Sequence, residues 1–592
     1  MRFIFDLESN GLLDELNRIH CLCLKNIDTK ETYSFAPSEV ETGVKMLMNA
    51  DLIVGHNVIG FDIPALKKVY PWFKIRKSRV RDTLIMSLLL YPDLSDRDWR
   101  LVAQDETFPR NCVGKHRLEA WGHRLKCYKG DYDGGWSEWS SEMQYYCEQD
   151  VEVTDRLWKL IESKGTSPVA TELEHQVKWV IAEQERCGFP FNEEAASRLK
   201  LTLDKRRAEL EAELQDAFPP WEEELGLFTP KVNNKARGYV KGVSFMKTKT
   251  VVFNAGSRMH IESRLKAIHG WKPKEFTEDG RAKVDEKVLS SLSYPEAKLL
   301  SEYLMIQKRI GQISDGANGW LKKIKDGRIH GQVITNGAVT GRATHRSPNT
   351  AQTPSVYAPY GKDCRSCWTA SKGRVLIGAD VSGLELRMLA NKMWQYDKGA
   401  YAKEVVDGDI HSVNQEAAGG LLPTRNDAKT FIYAFLYGAG DAKIGSIIGK
   451  GASAGKQIKK AFFEKVPALK QLVQSVKKEA EKNGYLIGLD GRQLHIRAVF
   501  ASLNTSLQSD GSLVCKQWLV EVDKELRSRG WQDKCQQVAW IHDELQFDCD
   551  PDIAEECGKL IVDCIARAGD HFNVKVPLTG EYNIGANWAE TH

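Results

Sequence analysis

The 592-residue sequence has no apolar run of about 18 residues, the length that a membrane-spanning helix requires. Its first residues, MRFIFDLESN, lack the charged, apolar and cleavage regions of a signal peptide. We therefore expect a cytoplasmic protein with no membrane association.

The sequence also has little excess charge and no regular cysteine framework. Its 83 Lys and Arg residues nearly balance its 80 Asp and Glu residues, so any surface for nucleic acid must be local. The 13 cysteines are scattered, as expected for reduced thiols in a reducing compartment. The chain has no internal repeat or low-complexity tract. Its length predicts about three to five packed domains.

The pattern of apolar residues changes along the chain. Strand-like and helical runs alternate over about the first 165 residues, which predicts an α/β domain. Long charged helical segments follow from about Thr171, and Pro219-Pro220 ends the second of them. The basic stretch from Lys231 to Lys249 has little periodicity and is predicted to be a loop. Strands and helices return after Arg328.

Three segments of the first domain supply acidic side chains. Asp6 and Glu8 are two residues apart on an apolar strand, so both point to the same face. Asp62 follows a second apolar strand and a polar turn, and Tyr146 and Asp150 are four apart on one helix face. A lone acid is usually a solvated surface charge. The set instead matches phosphodiester hydrolysis, in which two divalent metal ions need several hard oxygen ligands.

In this order and spacing, the three segments resemble the Exo I, II and III motifs of the DnaQ-like exonucleases, which have an RNase H-like fold and proofread DNA synthesis. The resemblance implies that the four acids are metal ligands and that Tyr146 assists by orienting water. None of the four acids is missing, so we expect an active 3′→5′ exonuclease.

A second pair of acids lies in the last third of the chain. Asp380 ends the strand-like segment RVLIGAD, and Asp543 lies at a turn between two apolar runs, within Ile541-His542-Asp543-Glu544. Carboxylates inside an apolar strand pair are costly unless they bind a partner.

A stripe of four residues lies between these two acids. On a helix, residues four apart share one face, and here they are two cations followed by two aromatic rings: Arg425, Lys429, Tyr433 and Tyr437. Such a stripe suits a nucleoside triphosphate, with the phosphates at one end and the sugar and base at the other. Taken alone, it would more simply indicate an amphipathic surface helix.

The segments around Asp380, from 425 to 438 and around Asp543 resemble motifs A, B and C of the family A DNA polymerases. Further matches resemble the T-seven-like phage replicative branch, and the likeness covers nearly the whole chain. These are Thr340-Gly341-Arg342, Asn349 with Gln352, Gly408-Asp409-Ile410-His411, Gly488-Leu489-Asp490-Gly491-Arg492, Asn504 with Gln508, and Asn587-Trp588.

The resemblance implies a DNA-templated DNA polymerase that extends a primer with dNTPs. Asp380 and Asp543, with the Val381 carbonyl, would hold two Mg²⁺ ions per active site, and Mn²⁺ can substitute. The residues implied to bind the dNTP are Arg425, Lys429 (also catalytic), His411, Glu385, Tyr433 and Tyr437. Those implied to touch the primer-template DNA are Arg342, Gln508 and His542.

The implied fold is α/β and α+β multidomain, an RNase H-like exonuclease domain followed by a right-hand polymerase domain. The expected bounds are 1–165 for the exonuclease, 166–330 for the thumb, 331–405 and 501–592 for the two parts of the palm, and 406–500 for the fingers. The branch carries a long basic thumb insertion that captures thioredoxin. Here the matching stretch, 222–250, has only 29 residues, which argues against thioredoxin as a partner.

The resemblance further suggests a replicative role for a phage genome, hence the bacterial host cytoplasm, with a phage helicase-primase and single-strand-binding protein as candidate partners. The chain begins almost directly at Asp6, so we expect no 5′→3′ exonuclease domain. The alternatives are a repair exonuclease with a DNA-binding C-terminal region, a non-catalytic scaffold and an RNA-making polymerase. The presence of Asp380 and Asp543 disfavours the first, and Glu385 with Tyr433 favours deoxynucleotides.

Overall fold

The computed structural model describes residues 1–105, 107–128 and 130–592. The chain forms two compact units. The first comprises Met1–Pro190, His330–Thr353 and Thr369–His592, and the second comprises Phe191–Ile329 and Pro354–Trp368. Among the described residues, no helix is both long and apolar enough to cross a membrane.

The N-terminal part of the first unit is built on a five-stranded sheet of order β3-β2-β1-β4-β5. The strands are β1 (Arg2–Ser9), β2 (Ile19–Asn26), β3 (Thr32–Phe35), β4 (Leu52–Gly55) and β5 (Val80–Asp82), with a short β6 (Phe189–Pro190). β1 runs antiparallel to β2 and parallel to β4. The helices are α1 (Val40–Met48), α2 (Asp62–Val69), α3 (Thr83–Leu90), α4 (Leu94–Gln104), α5 (Leu118–Arg124), α6 (Ser141–Lys164) and α7 (Pro168–Cys187).

Alternation along β1 separates two packed faces of this sheet. Phe3, Phe5 and Leu7 belong to the apolar cluster on one face, whereas Ile4 belongs to the cluster on the other face, together with the buried residues of α6. Since side chains two apart share a face, Asp6 and Glu8 lie on the α6 side. The predicted α/β domain and the shared face of these two acids are therefore confirmed.

The second unit is mainly helical. Its elements are α8 (Glu193–Ala217), α9 (Arg258–His269), α10 (Glu286–Ser290), α11 (Pro295–Ile310) and α12 (Gly361–Ser366), with strands β7 (Trp221–Phe228), β8 (Phe245–Val251), β9 (Ile324–Lys325) and β10 (Arg328–Ile329). α8 packs on α11, where Arg206 forms hydrogen bonds of 2.8 and 3.0 Å with the two carboxylate oxygens of Glu302.

The prediction of a loop throughout 231–249 was wrong in part. Residues 245–249 belong to β8, which pairs antiparallel with β7 to form a hairpin. The segment FMKTKTV is rich in β-branched and aromatic residues, and it gains a ladder partner that periodicity within the segment alone does not reveal. Nearly all residues of both strands are exposed.

The C-terminal part of the first unit contains a four-stranded antiparallel sheet of order β16-β17-β13-β18. The strands of this part are β11 (Gln332–Ile334), β12 (Thr344–Arg346), β13 (Val375–Val381), β14 (Tyr485–Ile487), β15 (Gln493–His495), β16 (Cys535–Ile541), β17 (Glu544–Cys549) and β18 (Gly580–Gly585). The long helices α20 (Ser502–Ser528) and α21 (Ala554–His571) pack together, and the Trp518 indole N–H donates to the Ile561 carbonyl at 2.7 Å.

The helices between β13 and β14 form the remaining segment of this unit. They are α13 (Leu384–Asp397), α14 (Ala400–Val406), α15 (Ile410–Ala417), α16 (Arg425–Leu436), α17 (Asp441–Ile447), α18 (Ala452–Lys465) and α19 (Pro467–Asn483). Aromatic contacts hold α16 to α18, with the rings of Phe431 and Phe462 5.1 Å apart and those of Phe435 and Phe463 5.6 Å apart.

A fully buried ionic cluster joins α7 to the C-terminal part of the unit. Glu174 on α7 accepts a hydrogen bond from Lys516 on α20, and its carboxylate lies 2.7 Å from the Arg492 guanidinium. Arg492 also pairs with Asp490 at 2.6 Å. The two cations keep the pKa of Glu174 below its usual value although burial opposes this. The cluster can exist in the core because each charge has an opposite charge beside it.

Candidate active sites

The four-stranded sheet places Asp380 and Asp543 next to each other. Asp380, near the end of β13, stands opposite Glu544 of β17 and Glu581 of β18. The backbone N–H of the next residue, Val381, donates to the carbonyl of Asp543 at 3.1 Å. The structure thus brings together two acids that are 163 positions apart in the sequence.

Asp543 projects from the tight turn between β16 and β17. The preceding residue, His542, has φ of 59°, in the left-handed region that non-glycine residues seldom adopt. The indole N–H of Trp540 donates to the His542 carbonyl at 2.9 Å and so pins the turn. The predicted strand-turn-strand context of Asp543 is therefore present.

The electrostatics of this pair fit a bound cation. Burial raises the pKa of Asp380, and the negative charges of Asp543, Glu544 and Glu581 raise it further. Burial also raises the pKa of Asp543. Carboxylate oxygens that repel one another in a partly desolvated setting are the hard donors that divalent cations bind. The donor set therefore suits such an ion.

Glu544, which follows Asp543, has hydrogen-bond partners in the core that the sequence did not predict. It is buried and accepts hydrogen bonds from the Trp588 indole and the Gln546 amide. The His592 ring lies 3.0 Å from its second carboxylate oxygen. The only sequence signal was the Asn587-Trp588 match, which did not reveal what the indole touches.

One pocket brings together the three residues predicted to touch DNA. Arg342, Gln508 and His542 line it with Asp543 and Glu385. Within it, the Arg342 guanidinium lies 3.5 Å from the Glu385 carboxylate. A ligand that touches these three side chains is therefore beside one of the paired acids.

The predicted stripe lies on α16, whose start is fixed by a capping box. Thr424 accepts a hydrogen bond from the Asp427 backbone, and the Asp427 side chain accepts one from the Thr424 backbone. The helix ends at Leu436, so Tyr437 is the capping residue rather than part of the helix, but its N–H still bonds to the Tyr433 carbonyl at 2.9 Å. The Tyr437 hydroxyl donates to Glu385.

The cationic end of the stripe faces His411. Burial lowers the pKa of His411, and the positive charges of Arg425 and Lys429 lower it further. The centroid of the His411 ring lies 6.3 Å from that of Tyr433, a member of the same stripe. Asp409 balances part of this charge, because Arg425 donates to its two carboxylate oxygens at 2.7 and 2.9 Å. This pairing holds the pKa of Asp409 well below its usual range. The sequence motif Gly408-Asp409-Ile410-His411 does not reveal this pairing of Asp409 with Arg425.

The N-terminal acids form a second centre beneath α6. Ligand atoms of Asp6, Glu8 and Cys147 all lie within 4.8 Å of one another. Asp62, at the start of α2, is buried, and the nearby Leu7 backbone amide of β1 favours its charged form. Burial, with the negative charges of Asp82 and Asp150, raises the pKa of Asp62 to about 8. These oxygen donors also suit divalent cations.

Asp82 is an anchor for this centre that the sequence analysis missed. Its buried carboxylate accepts hydrogen bonds from the backbone of Asn57 (2.8 Å), Ile59 (3.1 Å) and Leu84 (3.0 Å). The first two bonds fix the turn that leads to Asp62. An Asp directly before a helix is a capping signal. The hydrogen bonds that Asp82 also accepts from the turn at Asn57 and Ile59 cannot be predicted from the sequence.

Tyr146 lies on α6 four residues before Asp150, as predicted. Its ring contacts two other aromatic rings, with centroids 5.8 Å away for Tyr132 and 6.4 Å for Trp136. Trp136 is held in turn by its carbonyl, which lies 3.0 Å from the His20 ring nitrogen. An aromatic cluster therefore borders the N-terminal centre.

The fold has a solved counterpart. The POL domain of Pol1 from M. smegmatis, in a complex with DNA primer-template and dNTP, matches 99% of this chain and 96% of its own length with a TM-score of 0.74 and 17% sequence identity. This likeness concerns the fold alone. The chain has the fold of a DNA polymerase.

Sequence comparison gives the family. Residues 231–590 match DNA polymerase family A. The DNA-directed DNA polymerases of Escherichia phage T7 and Enterobacteria phage T3 are each 37% identical, with 100% of both chains covered. The DNA polymerase I of Rhizobium leguminosarum is 24% identical over 76% of this chain and 43% of its own. The chain belongs to DNA polymerase family A.

The predicted family, the multidomain fold class and DNA-directed DNA polymerase activity are thereby confirmed. Family membership also carries a general dependence on divalent metal ions. The predicted domain bounds and the roles of individual site residues stay predictions.

Proposed function

We propose that the chain replicates a phage genome by extending DNA primers at Asp380 and Asp543 and by proofreading at a separate 3′→5′ exonuclease centre. The observation that supports the polymerase half is the hydrogen bond from the Val381 N–H to the Asp543 carbonyl, which joins the residue after Asp380 to Asp543. Mg²⁺ is the proposed ion, with Mn²⁺ as a substitute, and Asp380, Asp543 and the Val381 carbonyl are its proposed ligands.

Two such ions supply activation of the attacking hydroxyl and stabilisation of the leaving pyrophosphate. The protein's own part is to position the dNTP. Arg425, Lys429 and His411 are proposed to bind the triphosphate, and their mutual proximity supports this role. Asp409 would hold the Arg425 guanidinium group in place.

Glu385 and Tyr433 are proposed to form the wall beside the sugar, with Tyr437 next to the template base. The Tyr437 hydroxyl donates a hydrogen bond to the Glu385 carboxylate and so holds it in place. A fixed carboxylate supports the proposed position of Glu385 beside the sugar. Arg342, Gln508 and His542 are proposed to touch the primer-template DNA, since they line one pocket with Asp543.

For the exonuclease, Asp6, Glu8, Asp62 and Asp150 are proposed as metal ligands and Tyr146 as the residue that orients the attacking water. The observation that supports this centre is geometric: ligand atoms of Asp6, Glu8 and Cys147 lie within 4.8 Å of one another. A divalent cation would favour the charged form of the clustered carboxylates.

We further propose the domain bounds 1–165 for the exonuclease, 166–330 for the thumb, 331–405 and 501–592 for the palm, and 406–500 for the fingers. The β7–β8 hairpin occupies the shortened insertion 222–250, where six cations are available for DNA phosphates: Lys231, Lys235, Arg237, Lys241, Lys247 and Lys249. A phage helicase-primase and a single-strand-binding protein are proposed partners, and thioredoxin is not.

Extension of a labelled primer on a DNA template tests the polymerase centre. Extension should start on addition of Mg²⁺, stop with EDTA and be lost in Asp543→Ala. The matched control is Asp552→Ala, which removes an exposed acid of the same unit. Equal extension by Asp543→Ala and the control would show that the centre is misplaced.

Release of nucleotides from a labelled single strand tests the exonuclease centre. The Asp6→Ala, Glu8→Ala double variant should lose this release, whereas Glu39→Ala, an exposed acid of the same part of the chain, should retain it. Undiminished release by the double variant would reject the assignment and leave polymerisation as the chain's sole supported activity.

A further inference from the structure

Three cysteines meet at the end of the β16–β17 hairpin that is remote from the Asp543 turn. Cys535 begins β16 and Cys549 ends β17, and the two residues stand opposite each other in the antiparallel pair. Cys557 lies in the first turn of α21. Their three Sγ atoms all lie within 4.8 Å of one another. We name this group the Cys535 cluster.

The cluster contains only sulfur donors. Cys535, Cys549 and Cys557 are free thiols, and their exposed fractions are 1%, 0% and 0%. Among the residues that the structure describes, the group includes no His, Asp or Glu ligand atom and no fourth thiol. Thiolates are soft ligands and select soft metal ions, whereas the carboxylates of the two acidic centres suit hard cations. The cluster therefore differs in chemistry from both centres.

The spacing of the sulfur atoms fits a single ion. A metal–thiolate bond of about 2.3 Å places three sulfur atoms roughly 4 Å apart when they surround one ion in a plane. The observed separations of 4.8 Å or less need only small side-chain shifts to reach this arrangement. The ligands come from two strands and one helix, so a bound ion would join β16, β17 and α21.

The surroundings favour loss of a thiol proton. The Cys535 and Cys549 thiols lower the pKa of Cys557, and the positive charge of Arg529 lowers it further, although burial opposes this. The position of Cys557 near the N-terminal end of α21 acts in the same direction, because the helix dipole stabilises a thiolate there.

A cavity adjoins the cluster on one side. Its volume is about 320 Å³, and Cys535 lines it together with residues of α7 and α20. The lining also includes three acids and one arginine, namely Glu183, Asp523, Asp533 and Arg527. An excess of negative charge attracts cations. The cavity therefore favours the approach of a metal ion.

A simpler explanation accounts for part of these observations. Cysteine is a small apolar residue that is often buried, and the Cys549 thiol donates to the Asp550 carbonyl at 3.5 Å. Packing therefore explains the burial. It does not explain why three sulfur atoms from three different elements approach one another.

We propose that Cys535, Cys549 and Cys557 bind one soft metal ion with a filled d shell as three thiolates. Three metal–sulfur bonds form, and the three thiol protons pass to water. An ion that accepts three ligands, as Cu(I) does, matches the number of donors. The bound ion joins the hairpin that carries Asp543 to α21 and stabilises the folded state, because it binds the folded chain in preference to the unfolded one.

X-ray absorption at the copper edge tests the proposal on the full-length protein with one equivalent of Cu(I). Ascorbate and an inert atmosphere keep the ion monovalent, and excess Mg²⁺ occupies the carboxylates. Three sulfur neighbours at about 2.3 Å, with no oxygen or nitrogen neighbour, are the expected result. Fewer than three sulfur neighbours, or an oxygen or nitrogen neighbour, overturns the proposal.

Competition with a coloured Cu(I) chelator measures the affinity of variants. Loss of an outer-shell partner costs a metal site about 10- to 100-fold in affinity, so loss of a ligand in Cys549→Ala or Cys557→Ala should cost at least about a hundredfold. The matched control is Cys564→Ala, which removes an equally buried thiol of α21 outside the group. Cu(I) should also raise the unfolding temperature of the wild type and of the control, but not that of the two ligand variants.

Circular dichroism shows whether each variant folds. If one ligand variant does not fold, the other decides, and the sulfur count of the wild type does not depend on either. Equal affinity in the folded ligand variants and in Cys564→Ala overturns the proposal.

Discussion

The backbone N–H of Val381 donates to the carbonyl of Asp543 at 3.1 Å. This bond ties the end of β13 to the β16–β17 turn. Because a strand ladder fixes neighbouring backbones closely, the carboxylate of Asp380, one residue before Val381, is held beside that of Asp543. The proposed polymerase centre is therefore positioned by the sheet and by the turn that joins two of its strands.

Replacement of either acid should abolish most of the polymerase rate. Asp380→Asn and Asp543→Asn each remove a charged oxygen donor, so we expect kcat for nucleotide addition to fall by at least about a hundredfold, or roughly 3 kcal/mol. The KM for dNTP should change less. Single-turnover incorporation measures both, with Asp552→Asn as control. A loss of less than tenfold would contradict the assignment.

Glu385 should exclude ribonucleotides. Glu385→Ala removes the carboxylate that Tyr437 and Arg342 hold in place, so the preference for dNTP over rNTP should weaken. The ratio of kcat/KM for dATP and ATP measures it. Glu416→Ala, which changes an exposed acid on α15, serves as the control. An unchanged ratio would show that another residue excludes ribonucleotides.

Tyr433 should permit ready dideoxynucleotide termination. In its proposed place beside the sugar, the Tyr433 hydroxyl would lie near the position of the missing 3′-hydroxyl. Tyr433→Phe should therefore lower ddNTP use relative to dNTP more than tenfold, about 1.4 kcal/mol. Termination ladders measure this, and Tyr437→Phe should keep the wild-type pattern. Strong discrimination against ddNTPs by the wild type would be the contrary result.

Asp62 should make the metal-free protein less stable as pH rises. Its pKa of about 8 in the folded state lies above the usual value near 3.9, so the folded state holds the extra proton between these values. The free energy of unfolding should fall by up to about 1.4 kcal/mol per pH unit across this window. Urea unfolding in EDTA from pH 5 to 8 measures it, and Asp62→Asn should flatten the dependence. An equally steep dependence in Asp62→Asn would contradict this.

Loss of Glu174 from the buried ionic cluster should strongly destabilise the protein. Glu174→Ala leaves Lys516 and Arg492 without their shared carboxylate in the core, at a cost of about 3–5 kcal/mol. Glu172→Ala, a partly exposed acid on the same helix, should cost about 1 kcal/mol or less. Urea unfolding at pH 7 compares the two variants. Similar losses of unfolding free energy in the two variants would contradict this prediction.

The sequence predicted those parts of the sites that depend on local spacing. Asp6 and Glu8 share a face because they are two apart on a strand, and Arg425, Lys429 and Tyr433 share a face of α16 because they are four apart. The prediction that Asp380 and Asp543 lie close together came only from the resemblance to a family, because the local sequence pattern does not encode the order of strands in a sheet.

Other features could not be predicted because their partners are distant in sequence. Glu174 and Lys516 are 342 positions apart, and nothing near either residue identifies the other. The same holds for Glu544 with Trp588 and for Asp82 with the turn before Asp62. The β7–β8 hairpin was missed because its second strand is defined by its pairing rather than by its own periodicity.

The fate of a labelled primer with a mismatched 3′ end tests the central claim, that one chain polymerises and proofreads at two centres. In the presence of Mg²⁺ and dNTPs, the wild type should remove the mismatch and then extend. Asp6→Ala should lose removal but still extend a matched primer, and Asp543→Ala should only shorten the primer. Removal by Asp6→Ala at the wild-type rate, or extension by Asp543→Ala, would contradict the two-centre account.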